Sequence, residues 1–390
     1  MPDYRDTLSR KARDLKPSGI RKFFDLLSGR EGVISLTVGQ PDFATPWHIR
    51  DAGIDSIADG HTFYTSNRGT PELRHEIAEY MSRRFSLSYC PETEILVTVG
   101  ASEAIDLVIR ALVDEGDEVI VPVPSFVCYG PLVEMSGGRV VLVETTPEEG
   151  FKLTPEKLEA AITDKTKLII LPYPSNPTGA ILEREELIAL SEVVKKSGAV
   201  VLSDEIYAEL TYGRTHTSIA SIEGMKERTV VINGFSKAYA MTGWRLGFSC
   251  APEWLTEAMF KIHQYAIMCA PTVSQYAATE ALRNGDGDIE MMKTEYDRRR
   301  KYLTKALSDI GLPCQRPEGA FYVFMKLGHY GLSSEEFCER LLEEHNVAIV
   351  PGTAFGDCGE GYARLSYAYS LDHLKEAVRR MDKFVKTLAE

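Results

Sequence analysis

The segment "KLIILPYPSNPTGAILEREELIALSEVVKKSGAVVLSDEIY", residues 167–207, holds two short apolar runs on either side of an amphipathic stretch. The runs at 167–174 and 199–205 are nearly continuous in hydrophobicity, which is typical of strands buried on both faces. The stretch 183–198 repeats its apolar residues at helical spacing. This order predicts two parallel strands joined by a crossover helix.

The same alternation extends through the middle of the chain. Further strand-like runs lie at 94–100, 117–124, 139–144, 229–234 and 246–252. Amphipathic stretches, among them 71–85 and 102–116, alternate with these runs. The pattern predicts an α/β fold with a mostly parallel sheet that is covered by helices on both faces.

The pattern changes in the last quarter of the chain. From about Asp297 a charged helix is followed by strand-like "GAFYVFMK", a helical stretch, strand-like "ARLSYAY" and a final helix from Leu371. This order predicts a smaller α+β domain that the N-terminal segment joins. We predict a large domain over residues 46–290 and a small domain made of 1–45 and 291–390.

Composition restricts the classes of function. The chain has 390 residues and a net charge of -13, without a long run of either sign, which disfavours nucleic-acid and anionic membrane surfaces. The first residues lack the apolar core of a secretory signal, and no stretch reaches the ~18 apolar residues of a membrane span, so we expect a cytoplasmic protein. Seven scattered cysteines without a CxxC pair, and histidines without HxxxH spacing, predict no disulfide framework and no metal site.

Polar residues follow several predicted strands, where ligands collect in open α/β sheets. Gly100, Ala101 and Ser102 begin a helix that Ser102 can N-cap, and such a start favours an anion, although an ordinary helix start has the same appearance. Asn176 lies in a proline-rich turn. Asp204 ends an apolar strand, where a buried carboxylate requires a cationic partner.

Two cations stand in the small and apolar run "NGFSKAYAMTGWRLGF", residues 233–248. A lysine such as Lys237, if desolvated, loses proton affinity and becomes a nucleophile for carbonyl groups. An arginine such as Arg245 offers a planar fork for phosphate. Taken by itself, the run also fits two ordinary surface charges on a loop.

The combination of motifs is more specific than any one of them. The chain contains, in order, "VGASEA", "YPSNPTG", "SDEIY", "GFSKAYAMTGWRLG", "GAFYVF", "PGTAFG" and "GYARLSYA". Over essentially its whole length this series resembles the class I/II aminotransferases, which are pyridoxal-phosphate (PLP) enzymes of fold type I. Within them it is similar to the branch of aromatic, aspartate and N-acetyl-diaminopimelate aminotransferases. The resemblance implies a seven-stranded, mostly parallel sheet in the large domain.

The resemblance also implies roles for the strand-end residues. Lys237 would bind PLP covalently and then move the proton during transamination, and Asp204 would pair with the pyridinium nitrogen. Asn176 and Tyr207 would contact the ring oxygen. The remaining cofactor contacts, to the phosphate or the ring face, would come from Gly100, Ala101, Ser102, Phe126, Ser236 and Arg245.

Substrate and partner contacts follow from the same resemblance. Arg364 would bind the substrate α-carboxylate, helped by the backbone at Gly39 and by Asn176, although a surface salt bridge would also explain an arginine. Tyr64 would reach the phosphate of a neighbouring subunit, which implies a homodimer with shared active sites. Two positions depart from many relatives, with Gly234 in place of a serine and Phe126 in place of Trp or Tyr.

The donor amino acid stays open. Arg21 or Lys22 could meet a side-chain carboxylate, whereas an aromatic side chain would suit the apolar neighbours Phe23, Phe24, Tyr265 and Phe355. We therefore keep aromatic, aspartate-type and N-acetyl-diaminopimelate donors, with 2-oxoglutarate as the expected acceptor. A PLP carbon–sulfur β-lyase is the alternative enzyme. A non-catalytic regulator is disfavoured because the motifs leave no room for a preceding DNA-binding domain.

Overall fold

The computed structural model describes residues 4–15, 17, 19, 30, 32–328 and 330–389. The four N-terminal residues considered for substrate recognition, Arg21, Lys22, Phe23 and Phe24, lie outside the described residues. None of the helices in these ranges is long and apolar enough to cross a membrane.

Seven strands form the main sheet within the described residues, in the order β2-β8-β7-β6-β5-β3-β4. Their bounds are β2 Ile95–Thr98, β3 Glu118–Val123, β4 Arg139–Glu144, β5 Thr166–Leu171, β6 Val200–Asp204, β7 Thr229–Gly234 and β8 Gly247–Cys250. Neighbours pair in parallel except β8, which runs antiparallel to both β2 and β7. The predicted α/β class and the mostly parallel seven-stranded sheet are confirmed.

Helices surround this sheet and continue into the C-terminal region. Their bounds are α1 Arg10–Asp14, α2 Trp47–Ala58, α3 Pro71–Phe85, α4 Gly100–Leu112, α5 Tyr129–Ser136, α6 Pro155–Ala161, α7 Arg184–Lys196, α8 Phe235–Ala238, α9 Glu253–Ala266, α10 Thr272–Asn284, α11 Asp286–Asp309, α12 Ser334–His345 and α13 Leu371–Ala389. Short 3-10 helices lie at Tyr4–Thr7, Pro147–Glu149, Ile219–Ser221, Lys226–Arg228, Gly352–Phe355 and Asp357–Gly359.

Both faces of the inner strands are buried, although successive residues of a strand point to opposite sides. Leu168 and Ile170 of β5 pack in one hydrophobic cluster with Val108 of α4. Ile169, between them, packs in a different cluster with Leu190 of α7. The near-continuous apolar runs in the sequence therefore reflect helices on both faces.

Local signals in the sequence fix some helix ends and miss others. The side chain of Thr70 caps α3 by accepting a hydrogen bond from Leu73 N, and Pro71 occupies the first turn, so this helix matches its predicted bounds. The expectation that Ser102 caps α4 is wrong, because the helix begins at Gly100 and its N-cap is Val99. The Val99 amide instead donates to the Glu103 carboxylate.

A second group of strands lies in the C-terminal region. Strands β9 Tyr322–Lys326, β11 Val350–Pro351 and β12 Tyr362–Ser366 form an antiparallel sheet. Strand β1 Ile34–Ser35 pairs in parallel with β10 Val347–Ala348, which ties the N-terminal segment to this region. Helix α11 begins at Asp286, well before the predicted Asp297, so the predicted domain boundary at 290/291 falls inside a continuous helix.

Candidate active site

A cavity of about 280 Å³ lies at the carboxyl ends of the central parallel strands. Most of the residues predicted for the site line it: Gly39, Ala101, Ser102, Phe126, Asn176, Asp204, Tyr207, Ser236, Lys237, Arg245 and Arg364. Gly100 adjoins the cavity through Arg245, whereas Tyr64 lies elsewhere. In the described ranges, no group of three or more His, Cys, Asp or Glu side chains is arranged to hold a metal ion.

Asp204 is the last residue of β6 and is buried at the end of the cavity. Its carboxylate accepts hydrogen bonds from Tyr129 OH at 2.6 Å and from Ile206 N at 3.3 Å. Burial raises the pKa of Asp204, and the Tyr129 hydrogen bond opposes that rise. The expected cationic side chain is not its hydrogen-bond partner in the described structure, because both donors are neutral. A positively charged ligand group would therefore complete this end of the cavity.

Lys237 stands on the short helix α8, directly after β7, and its ammonium group faces the cavity. Its Nζ donates a hydrogen bond to the Gly39 carbonyl at 2.6 Å. Burial, with smaller contributions from the cations Arg364 and Arg245, lowers the pKa of Lys237 to about 8. A lysine in this environment is partly neutral near physiological pH and can act as a nucleophile or a base.

Gly39 has a steric reason to be glycine. A Cβ atom at this position would lie 2.2 Å from the hydroxyl oxygen of Tyr322, which real contacts do not allow. The missing side chain lets the backbone at 39 pass beside Tyr322 while its carbonyl reaches Lys237.

Arg364 lies in the middle of β12 and is buried, so the interpretation of this residue as a surface salt bridge is wrong. Its Nη1 donates to Asn176 Oδ1 at 2.8 Å and its Nη2 to the Thr37 carbonyl at 2.5 Å. Burial lowers the pKa of Arg364, and its Nε is buried with no partner among the described residues. The guanidinium is thus held in place at the wall of the cavity, where its planar fork suits a carboxylate.

Arg245 lies beside the start of α4. Its backbone is left-handed, with φ of 53°, and its Nη1 donates to the Thr242 carbonyl at 3.0 Å. A Cβ at Gly100, where φ is +75°, would lie 2.6 Å from Arg245 Nη2. The guanidinium therefore stands next to the free amides of a 13-residue helix, and the two together suit an anion. The exposed side chain of Ser102 lies in the first turn of this helix.

Aromatic side chains complete the walls of the cavity. The ring of Phe126 meets that of Tyr129 edge to face, with centroids 6.0 Å apart. The hydroxyls of Tyr207 and Tyr322 are 2.8 Å apart and buried. Ser236 is also buried at this wall. An apolar ring bound here would be enclosed by aromatic faces and edges.

Sequence reasoning missed three residues that contact the predicted ones. Tyr129 binds Asp204, Tyr322 binds Tyr207, and the Thr37 carbonyl binds Arg364. Tyr129 stands three residues after the predicted site residue Phe126, and Tyr322 lies in the quoted "GAFYVF". For Thr37 the contact comes from the backbone, so the residue type carries no signal.

Tyr64 does not line the cavity of its own chain. Its side chain is 83% exposed, next to Phe63, which is 82% exposed. Both line a shallow depression together with Ile267 and Pro271. The prediction that Tyr64 serves a neighbouring subunit is untested by a single chain.

Comparisons with known proteins identify the family. The profile of the family described as "Aminotransferase class I and II" matches residues 31–381. The chain belongs to this family. Among its aminotransferase relatives, YugH of Bacillus subtilis, which carries an aminotransferase name without a stated substrate, is 56% identical over 97% of this chain and 98% of its own. A protein of the same organism named as a probable N-acetyl-LL-diaminopimelate aminotransferase is 46% identical over 97% of this chain and 95% of its own.

Solved structures of aminotransferases have the same fold as this chain. The aspartate aminotransferase of Thermus thermophilus, determined with maleate, superposes with a TM-score of 0.92 at 41% identity and covers 96% of this chain and 99% of its own. Class I and II aminotransferases depend on PLP, so the resemblance drawn from the motifs is confirmed for family, fold, enzyme class and cofactor.

Proposed function

We propose that the cavity binds PLP through the residues that the motifs predicted. The observation that carries this proposal is the enclosure of Lys237, Asp204 and Arg364 around one cavity. The buried carboxylate of Asp204, which has only neutral donors, fits a protonated ring nitrogen. The phosphate would be held by Arg245, Ser236 and the first amides of α4, and Phe126 would cover one face of the ring.

When bound, PLP supplies the carbonyl that receives the amino group and the ring that takes up electrons from the substrate α-carbon. The protein holds and moves the proton. With its pKa lowered to about 8, the Lys237 amine can accept the proton of the substrate α-carbon. It can then give this proton to the cofactor carbon that receives the amino group. Asn176 and Tyr207, which line the cavity, would hold the ring oxygen, and the Tyr207 hydroxyl would donate to it.

Arg364 is proposed to bind the α-carboxylate of both substrates. Its planar guanidinium is fixed by Asn176 and Thr37 and stacks over the Tyr322 and Phe355 rings at 4.5 and 4.9 Å. A carboxylate would meet this guanidinium in the cavity that the Gly39 backbone also lines. Binding here would also displace water from the cavity.

We infer that the donor is an aromatic, aspartate-type or N-acetyl-diaminopimelate amino acid and that 2-oxoglutarate is the acceptor, in a ping-pong reaction where the two substrates use the site in turn. The names of the relatives support this range, since they include an N-acetyl-diaminopimelate and an aspartate enzyme. No observation favours the β-lyase alternative. We further propose that the enzyme is a cytoplasmic homodimer in which Tyr64 of each subunit reaches the other subunit's site.

The test is a titration of the PLP-loaded protein with single amino acids in the absence of any acceptor. Glutamate, aspartate, phenylalanine, tyrosine and an N-acyl-diaminopimelate are added one at a time while the visible absorption of the cofactor is followed. Loss of that absorption with release of the matching oxo acid is expected for at least one donor. Its recovery on addition of 2-oxoglutarate identifies the acceptor.

Two controls interpret the titration. Arg364→Lys replaces a fork by a point charge, so we expect kcat/KM for every donor to fall roughly tenfold or more. Unchanged kcat/KM would contradict the carboxylate assignment. Release of pyruvate and ammonia from cystathionine without an oxo acid would instead indicate the lyase.

A further inference from the structure

Tyr322 connects parts of the active site that are distant in sequence. Its hydroxyl lies 2.8 Å from Tyr207 OH and occupies the space where a Cβ of residue 39 would stand. Its ring lies under the Arg364 guanidinium, 4.5 Å from Cζ to the ring centroid. Tyr322 is 1% exposed, so these contacts are not shared with solvent.

The hydroxyl pair has two protons and one hydrogen bond between its members. Burial raises the pKa of both phenols, so each keeps its proton at neutral pH. Among the described residues, Tyr207 is the hydrogen-bond partner of the Tyr322 hydroxyl. Both side chains line the cavity. In the proposed function Tyr207 gives its proton to a cofactor oxygen there, so the 2.8 Å hydrogen bond between the hydroxyls is kept only if Tyr322 donates.

The pKa shifts of the two hydroxyls agree with this direction. Arg364 opposes the effect of burial on both hydroxyls, but the contact with Tyr322 raises the pKa of Tyr207 further, so Tyr322 is the more acidic of the two. The more acidic hydroxyl of a pair is the better donor, so the proton order runs from Tyr322 to Tyr207. A donor that itself accepts a hydrogen bond is polarised and donates more strongly.

We propose that Tyr322 is a positioning residue that donates to Tyr207 and so strengthens the hydrogen bond from Tyr207 to the ring oxygen of the cofactor. This inference rests on the proposed function, in which Tyr207 meets that oxygen. Through the hydrogen bond to Tyr207, Tyr322, whose ring lies against Arg364, affects how strongly the anionic ring oxygen is stabilised. Its role is to act through Tyr207 rather than on the transferred proton.

The experiment measures the pH at which the visible absorption of the protein-bound cofactor changes between its two protonation forms. A donor at the ring oxygen favours the deprotonated form, so loss of the donor raises this midpoint. Tyr207→Phe should raise it by about 1 to 2 pH units, as expected for a hydrogen bond to a charged group. Tyr322→Phe keeps the ring under Arg364 and should raise it by roughly 0.2 to 0.5.

The double variant separates relay from packing. Because Tyr322 acts through Tyr207, Tyr322→Phe should leave the midpoint unchanged in a Tyr207→Phe background. The matched control is Tyr212→Phe, which removes another buried hydroxyl that donates to the Ala320 carbonyl at 2.6 Å, two residues before Tyr322. This control should leave the midpoint at its wild-type value.

Three outcomes overturn the proposal. These are an unchanged midpoint in Tyr322→Phe, an equal shift with and without the Tyr207 hydroxyl, and a similar shift in Tyr212→Phe. Failure of the proposed function looks different, because the wild-type protein would then show no visible cofactor absorption or no response to any donor.

Discussion

The surroundings of Lys237 lower the pKa of its amine in the absence of substrate. With a pKa of about 8, about one molecule in ten carries the neutral amine at pH 7, against about one in three thousand for the ordinary value of 10.5. Only the neutral amine attacks an aldehyde. We therefore expect the rate of PLP incorporation into cofactor-free protein to rise with pH, to be half-maximal near pH 8 and to level off above it.

Stopped-flow absorption between pH 6 and 10 measures this rate, with N-acetyl-lysine in solution as the reference amine. Arg364→Met removes a cation that lowers the pKa of Lys237, so its half-maximal pH should lie above the wild-type value. A wild-type rate that is still climbing at pH 10 would show that burial does not lower the pKa of this lysine.

The site residues that could be predicted from the sequence are charged residues at the end of an apolar strand, because a charge there needs a chemical explanation. Asp204 and Lys237 follow apolar strands, where a charge is costly without a function, and the structure brings them to one cavity. The hydrogen-bond partners of Asp204 and Tyr207 could not be predicted in the same way. Tyr129 and Tyr322 come from elements far along the chain, and a tyrosine in an apolar run is compatible with ordinary core packing.

The first turn of α4 depends on a glycine. Gly100→Ala would strain a left-handed backbone by ~1–2 kcal/mol and place a methyl group against Arg245 Nη2. Gly116→Ala is the matched control, because it has a φ of +92° and an added Cβ would have no neighbouring atom within 4 Å. We expect both variants to lose stability, but only Gly100→Ala to weaken PLP binding, roughly tenfold or more.

Equilibrium titration of cofactor-free protein with PLP gives the dissociation constant. Thermal unfolding measures the loss of stability that backbone strain causes in both variants. Equal dissociation constants for the two variants would mean that Arg245 and the helix start do not bind the phosphate together. The same helix shows why element ends were harder to predict than elements. The Ser102 signal for an N-cap was present, but the sharp turn at Gly100 places the N-cap at Val99, three residues earlier.

The elements predicted best are those in which burial determines the pattern of apolar residues. All seven strands of the main sheet were visible as apolar runs. Helices on both faces leave the inner strands no polar side, whereas the edge strand β4 is apolar although Val143 is its one buried residue. The start of α11 was missed because Gly285 and Gly287 resemble a loop, yet Asp286 and Asp288 occupy its first turn and favour a helix N-terminus.

The molecule as a whole exposes an apolar region that a single chain does not explain. Phe63 and Tyr64 are more than four-fifths exposed, and the Thr272 hydroxyl holds the Phe63 carbonyl at 2.8 Å, which fixes this loop against α10. Large exposed aromatic side chains beside a depression mark interaction surfaces. The proposed homodimer would cover them and deliver Tyr64 to the site of the neighbouring chain.

Mixing two inactive variants tests that arrangement. A Lys237→Ala subunit lacks its own lysine, and a Tyr64→Ala subunit lacks the residue it would lend. If Tyr64 acts across the interface, a mixed dimer contains one site with both residues intact, so a one-to-one mixture after subunit exchange should recover about a quarter of wild-type activity. If Tyr64 serves its own chain, every site in the mixture lacks one of the two residues, and mixing restores nothing beyond the average of the two variants. The activities of the two variants before mixing are measured as controls, because they give the average with which the mixture is compared.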